Sequence, residues 1–179
     1  MKLVKKITAL AVFCGLCIAA AGCSTATTYT VTYDSAGGSE VKAVKVEENK
    51  KAKAPTAPTR AGYDFVGWTL DDEPFDFTSP VTEDTELVAE WKARTDTPYT
   101  VLVFAEQDDG SYQDISSDSR LSLDSKGQTD FEIKVGYLDY QRWGIDKITT
   151  HTVDAFHPNA VMNGTIKADG SLVLQIYLK

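Results

Sequence analysis

From Ile7 to Ala21 the chain is apolar and free of charge, a run of 15 residues preceded by Lys2, Lys5 and Lys6. A membrane-spanning helix needs about 20 such residues, so this run is too short for a permanent anchor. The pattern then changes period. Thr28 to Asp34 alternates Tyr29, Val31 and Tyr33 with Thr28, Thr30 and Thr32, the two-residue repeat of a half-buried strand. Ser35-Ala36-Gly37-Gly38-Ser39 reads as a hairpin turn, because a double glycine reaches positive φ without steric cost. Val41, Val44 and Val46 are expected in the return strand. Residues 47 to 60 are polar, and Pro55 and Pro58 favour an extended connection over a central strand. Apolar positions resume at Gly62-Tyr63-Asp64-Phe65-Val66-Gly67-Trp68, continue through Phe75-Asp76-Phe77 and Pro80-Val81-Thr82, and end in a strand from Leu87 to Trp91.

Ala93-Arg94-Thr95-Asp96-Thr97-Pro98 is a polar joint, and a domain boundary is placed there. From Tyr99 to Glu106, Tyr99, Val101 and Val103 point one way while Leu102 and Phe104 point the other, which predicts a central strand. Asp108-Asp109-Gly110-Ser111 is a turn signal. Weaker strands are expected at Ser119 to Leu123 and at Phe131 to Val135, with a helical turn over Tyr137 to Ile145. Asn163-Gly164-Thr165-Ile166, a turn at Ala168-Asp169-Gly170-Ser171 and Leu172 to Leu178 read as a closing hairpin.

Charge narrows the function classes. Without the three lysines of the first segment, 15 Lys and Arg stand against 26 Asp and Glu, a net charge of −11. A body this acidic repels phosphate backbones and anionic head groups, which argues against nucleic-acid binding and a polybasic membrane role. Cys14 and Cys17 lie in the apolar run and Cys23 is the only other cysteine. No disulfide framework is therefore expected in the body.

The lysines, the apolar run and Ala20-Ala21-Gly22-Cys23 have the anatomy of an export signal ending in small residues before a cysteine. This resembles the lipobox of bacterial lipoproteins, although Ala20 stands where that motif usually has leucine. The resemblance implies that residues 1–22 are removed as a signal peptide and that Cys23 takes the lipid, a diacylglyceryl group with palmitate-type chains. Residues 23–27 become a lipidated tether, and everything after them faces outside the cytoplasm, at the cell membrane or an outer membrane. Two or three acyl chains anchor a protein stably, where one does so only marginally.

Val31-Thr32-Tyr33-Asp34, Gly37-Gly38, Pro55-Thr56-Ala57-Pro58-Thr59, Gly62-Tyr63-Asp64-Phe65, Gly67-Trp68, Phe77, Pro80-Val81-Thr82 and Leu87-Val88-Ala89-Glu90-Trp91 occur in one order across residues 28–93. The series resembles the Listeria-Bacteroides repeat, known also from the B-repeats of internalins. It implies a β-grasp-like module used as a spacer or interaction unit. Tyr99-Thr100-Val101 with Asp109-Gly110-Ser111-Tyr112, and Gly164-Thr165-Ile166 with Asp169-Gly170-Ser171-Leu172-Val173-Leu174, are similar to mucin-binding-protein repeats at the two ends of residues 97–179. The expected fold class is thus mostly β, two small tandem β-grasp-like α+β modules behind a lipoprotein signal.

Tyr63, Phe65, Trp68, Phe77 and Trp91 fit either a carbohydrate-stacking platform or a core, and the core reading is preferred because aromatics dominate burial. Asp71-Asp72-Glu73 lacks the alternating ligands and fixed glycine of an EF-hand loop and reads as a solvated turn. His151 and His157, with Asp154 between them, fall short of the three or four ligands of a zinc centre. No nucleophile sits beside an oriented base in any recognisable pattern. The expectation is a non-enzymatic surface protein with no cofactor, no metal and no catalytic residue, serving adhesion or spacing. Its partners are the membrane, through Cys23, and an extracellular protein or glycan. Two alternatives stand beside it: a purely structural envelope component, and a catalytic or substrate-capturing lipoprotein with its site in the middle of residues 97–179, in a concave pocket containing His151, His157 or Trp143.

Overall fold

In the computed structural model, which describes residues 26–179, β1 (Thr28–Asp34) buries Val31 and Tyr33 and turns Thr32 to solvent. The two-residue repeat of the sequence is thus realised. β2 (Val44–Glu47) returns antiparallel, with Val31 opposite Val44 and Thr28 opposite Glu47. The connection between them is longer than a tight hairpin and leaves Val41 out of the ladder. The cause is tertiary. The loop is pulled onto Trp91, whose indole N–H donates to the Ser35 carbonyl at 2.9 Å. A Cβ on Gly38 would lie 2.5 Å from the Trp91 ring, so only glycine permits that approach.

β3 (Tyr63–Leu70) and β4 (Glu73–Pro74) form a hairpin through Asp71 and Asp72, both at positive φ. That is the backbone of the two-residue turns which match strand twist. β5 (Thr85–Ala93) completes a five-stranded sheet of order β2-β1-β5-β3-β4, with β1 and β5 parallel. First and last strands lie parallel at the centre and a hairpin flanks each side, which is a β-grasp order. The crossover carries no helix. Between turns at residues 48–49 and 61–62 the segment runs without a helix, with Ala52 buried and Lys51 bridged to Pro80, as two prolines in a short segment favour. The α component expected of the first module is therefore absent.

Trp68 sits at the centre of the first core, edge-on to Tyr33 at 4.9 Å and to Phe65 at 5.5 Å. Phe65 meets Trp91 the same way at 5.5 Å. These aromatics pack on one another and on Val31 and Leu87, so they build a core rather than a sugar platform.

β6 (Thr97–Glu106) starts the second half and buries Tyr99, Val101, Val103 and Ala105 on one face. Its other face is half-exposed, so the strand is central by pairing more than by burial. β7 (Tyr112–Asp114) and β8 (Ser125–Gly127) pair antiparallel with its two ends. Ser119 to Leu123 is not a strand: a turn at Asp118 and the Ser122 N–H bond to the Trp143 carbonyl direct Leu121 and Leu123 onto the core. β9 (Glu132–Lys134) is followed by α1 (Tyr137–Trp143), which closes on Gly144 in the left-handed conformation, and by a 3-10 turn at Ile145–Lys147. β10 (Asn163–Thr165) pairs with β9, and β11 (Val173–Leu178) pairs parallel with β6. The closing hairpin is thus overturned. β11's apolar side completes the core with Trp143 and Ile145 only when laid beside β6.

Both halves place their first and last strands side by side in parallel, and the architecture is mostly β throughout. Only residues 94–96 separate β5 from β6. The Gly62 carbonyl accepts from the Arg94 N–H at 2.9 Å and the Thr129 hydroxyl at 2.8 Å. The Thr129 N–H donates to the Arg94 carbonyl at 2.9 Å, and the Thr129 and Thr97 hydroxyls are 2.7 Å apart. The Tyr63 phenol donates to the Asp130 carboxylate, and the Arg60 guanidinium lies 3.9 Å over the Tyr63 ring.

Candidate interaction site

Cys23, the residue assigned lipid attachment, lies outside the described residues, as do the signal segment and the first part of the tether. The tether reaches the fold at Thr27, whose carbonyl accepts the Glu48 N–H at 2.8 Å. It therefore enters beside β1 and β2 at the end of the first sheet remote from the joint.

The residues of the expected pocket in the second half are not gathered. Trp143 is fully buried and donates to the Ser125 hydroxyl at 2.9 Å. His157 stacks on Tyr177 at 3.7 Å, against Tyr112 and on the sheet face opposite Trp143. His151 bonds through Nε2 to the Glu106 carbonyl at 2.9 Å. Each histidine has a local structural partner. Among the described residues no group of three or more His, Cys, Asp and Glu is arranged to hold a metal ion. Asp71 and Asp72 occupy the exposed β3–β4 turn.

A groove of about 300 Å³ lies between β8, β9 and α1. Tyr99, Ile133 and Ile166 supply its apolar wall, and Gly127 leaves room for the Ile166 side chain, which a Cβ there would strike at 2.4 Å. Lys126, Lys134 and Arg142 stand around it. Arg142 is held in place by the Tyr99 phenol at 3.1 Å and by Asp139 at 2.9 Å. Asp139 in turn accepts the Gly136 N–H at 2.9 Å and so fixes the start of α1. Phe131 lines the same groove at 60% exposure, and Tyr137 and Leu138 on α1 are 68% and 77% exposed. Leu138 precedes Arg142 by one helical turn and so shares its face.

The groove thus sets three cations around an apolar wall, with exposed Phe131 in its lining and exposed Leu138 on the Arg142 face of α1. The sequence reading missed it. The contributing residues sit on a strand, a loop, a second strand and a helix, so no single period connects them. A second recess, about 650 Å³, opens at the joint between Arg60, Tyr63, Asp130 and Lys167. There the hydrogen bond to Asp130, together with burial and the Asp130 charge, holds the Tyr63 phenol above its ordinary pKa, with Arg60 opposing.

Residues 29–90 match the Listeria-Bacteroides repeat domain. Two proteins of Evansella cellulosilytica are similar over 68 residues. One, named "Putative membrane protein", is 41% identical across 36% of this chain and 10% of its own length. The other, named "Putative Gly-rich membrane protein", is 38% identical across 36% of this chain and 8% of its own length. The chain thus spans a tenth or less of these relatives. No solved structure matches the chain. The matched repeat coincides with the five-stranded sheet, which runs from β1 to β5. Among the described residues no helix is long and apolar enough to cross a membrane.

Proposed function

We propose that the mature protein is a non-enzymatic bacterial envelope protein, lipid-anchored through Cys23, that holds two β modules outside the membrane for spacing or adhesion. The observation that carries this is the position of the repeat domain, whose match begins at residue 29, six residues after Cys23. At about 3.3–3.6 Å per extended residue, the first module stays within roughly 20 Å of an acylated cysteine. The membrane-protein names of the two relatives agree with an envelope location. The separation of Trp143, His151 and His157 favours the non-catalytic reading over the substrate-capturing one. The boundary is proposed at residues 94–96, with modules at 28–93 and 97–179. The second is read as a mucin-binding-repeat-like companion, which its parallel first and last strands support.

Metabolic labelling with a fatty-acid analogue tests the anchor. Wild type takes up label and fractionates with membranes, whereas Cys23→Ala loses the label and enters the medium. Undiminished label on Cys23→Ala overturns the assignment of the lipid to Cys23.

A further inference from the structure

We propose that the groove between β8, β9 and α1 docks an extended acidic peptide segment of another protein, which adds as a strand to the open edge of β9. This gives a partner chemistry to the interaction half of the reading above, and it does not depend on the lipid.

β9 is paired on one side only, by β10. The flanking bonds from the Ile166 N–H to the Phe131 carbonyl and from the Val135 N–H to the Met162 carbonyl fix the alternation of the ladder. Phe131, Ile133 and Val135 direct their main chain towards β10, so Glu132 and Lys134 present theirs at the other edge. An open edge with a side-chain pocket alongside is the arrangement by which extended peptides are bound: the main chain supplies affinity and the pocket selects alternate side chains.

The chemistry around the edge selects the partner. Lys126 and Lys134 are exposed, Lys134 lies 3.6 Å from the exposed Glu132 carboxylate, and Arg142 is paired with Asp139, so three cations stand against two carboxylates. The surplus is positive on a body whose net charge is −11, so the complement is acidic. Ile133, Ile166 and Tyr99 form the wall, Phe131 lines the groove, and Leu138 stands on the Arg142 face of α1. Aliphatic side chains of a peptide fit against Ile133 and Ile166, and the open β9 edge offers main-chain bonds that a peptide strand uses and a sugar does not.

The full chain, solubilised in detergent, is titrated against an end-blocked, fluorescein-labelled octapeptide alternating glutamate with leucine, read by anisotropy. Reversing both charges in Lys126→Glu/Lys134→Glu is expected to weaken binding about tenfold, since each rim charge contributes up to about 1 kcal/mol. Replacing the peptide's glutamates by glutamine weakens it similarly, and two central prolines abolish it. Leu138→Ser, at an exposed position that leaves the core intact, lowers affinity severalfold and serves as the second variant should the charge reversal perturb folding. Unchanged binding by both variants, equal binding of the proline peptide, or no binding at all overturns the proposal. Binding of polygalacturonate that the same variants abolish, without peptide binding, overturns it in favour of an anionic glycan. Failure here with label retained on Cys23 removes the peptide partner and leaves the anchor standing.

Discussion

The Thr129 hydroxyl donates to the Gly62 carbonyl at 2.8 Å, across 67 residues of sequence and from one core to the other. Thr129 is buried, and its hydroxyl also meets that of Thr97 at 2.7 Å. With so short a connection, this contact and the flanking Arg94 main-chain bonds decide whether the two sheets move as one. Thr129→Val keeps the shape and removes both hydroxyl bonds, leaving the Thr97 hydroxyl without that partner. The expected cost is about 1–3 kcal/mol, seen as a lower melting temperature. Tryptic cleavage after Arg94 should quicken as the joint opens. Thr97→Val/Thr129→Val should cost less than the two single changes added together, because they share one interaction.

Tyr63 and Asp130 make the joint sensitive to alkali. The hydrogen bond to Asp130 raises the Tyr63 pKa in the folded state, so folding favours the neutral phenol. This contribution is complete below the ordinary tyrosine value of about 10 and is lost as pH rises through the higher folded value. Tyr29, Tyr33, Tyr112 and Tyr140 are raised as well, so ultraviolet titration should show several tyrosines ionising late, and the difference between wild type and Asp130→Asn should be one of them returning towards the ordinary range. An unchanged titration in Asp130→Asn would place the cause at Tyr63 in burial alone.

How far the sequence reaches depends on whether an interaction is local. The alternation at Thr28 to Asp34 and the aromatic series from Tyr63 to Trp91 fix strands because period and propensity agree there. The helical turn after Gly136 is equally local, and α1 forms where it is expected. The Ala168–Ser171 turn misleads because the same tight turn can join strands of different sheets, and only the pairing of β11 with β6 decides. Ser119 to Leu123 has the apolar spacing of a strand, but its leucines serve as lids on a core built elsewhere. The groove is hidden for a related reason. Lys126, Lys134 and Arg142 converge only after β8, β9 and α1 have each packed against Tyr99 and Ile166.

Tyr33 offers a test of an unpaired buried group. Its hydroxyl and the Trp68 indole N–H are buried without a hydrogen-bond partner among the described residues, while the two rings meet edge-on at 4.9 Å. Burial also raises the Tyr33 pKa. Tyr33→Phe keeps the ring contact and removes a polar atom whose desolvation costs about 1–3 kcal/mol. The variant should be as stable as wild type or more stable in urea unfolding, with an unchanged m-value. A clear loss of stability would mean that the hydroxyl is paired in solution, by water.

Trp143 connects the second core to the groove. Its indole donates to the buried Ser125 hydroxyl at 2.9 Å, and Arg142 lies over its ring at 5.3 Å, so the residue that anchors α1 also supports the cation above it. Trp143→Phe removes ring volume and strands the Ser125 hydroxyl. Core truncation with an unsatisfied polar neighbour should cost about 2–4 kcal/mol. Adding Ser125→Ala removes the stranded group, so Trp143→Phe/Ser125→Ala should recover about 1 kcal/mol of that loss. Tryptophan fluorescence would no longer report the second core, so unfolding is followed by far-ultraviolet circular dichroism. If the double variant is less stable than Trp143→Phe alone, the Ser125 hydroxyl has another partner, and its role extends beyond receiving the indole N–H.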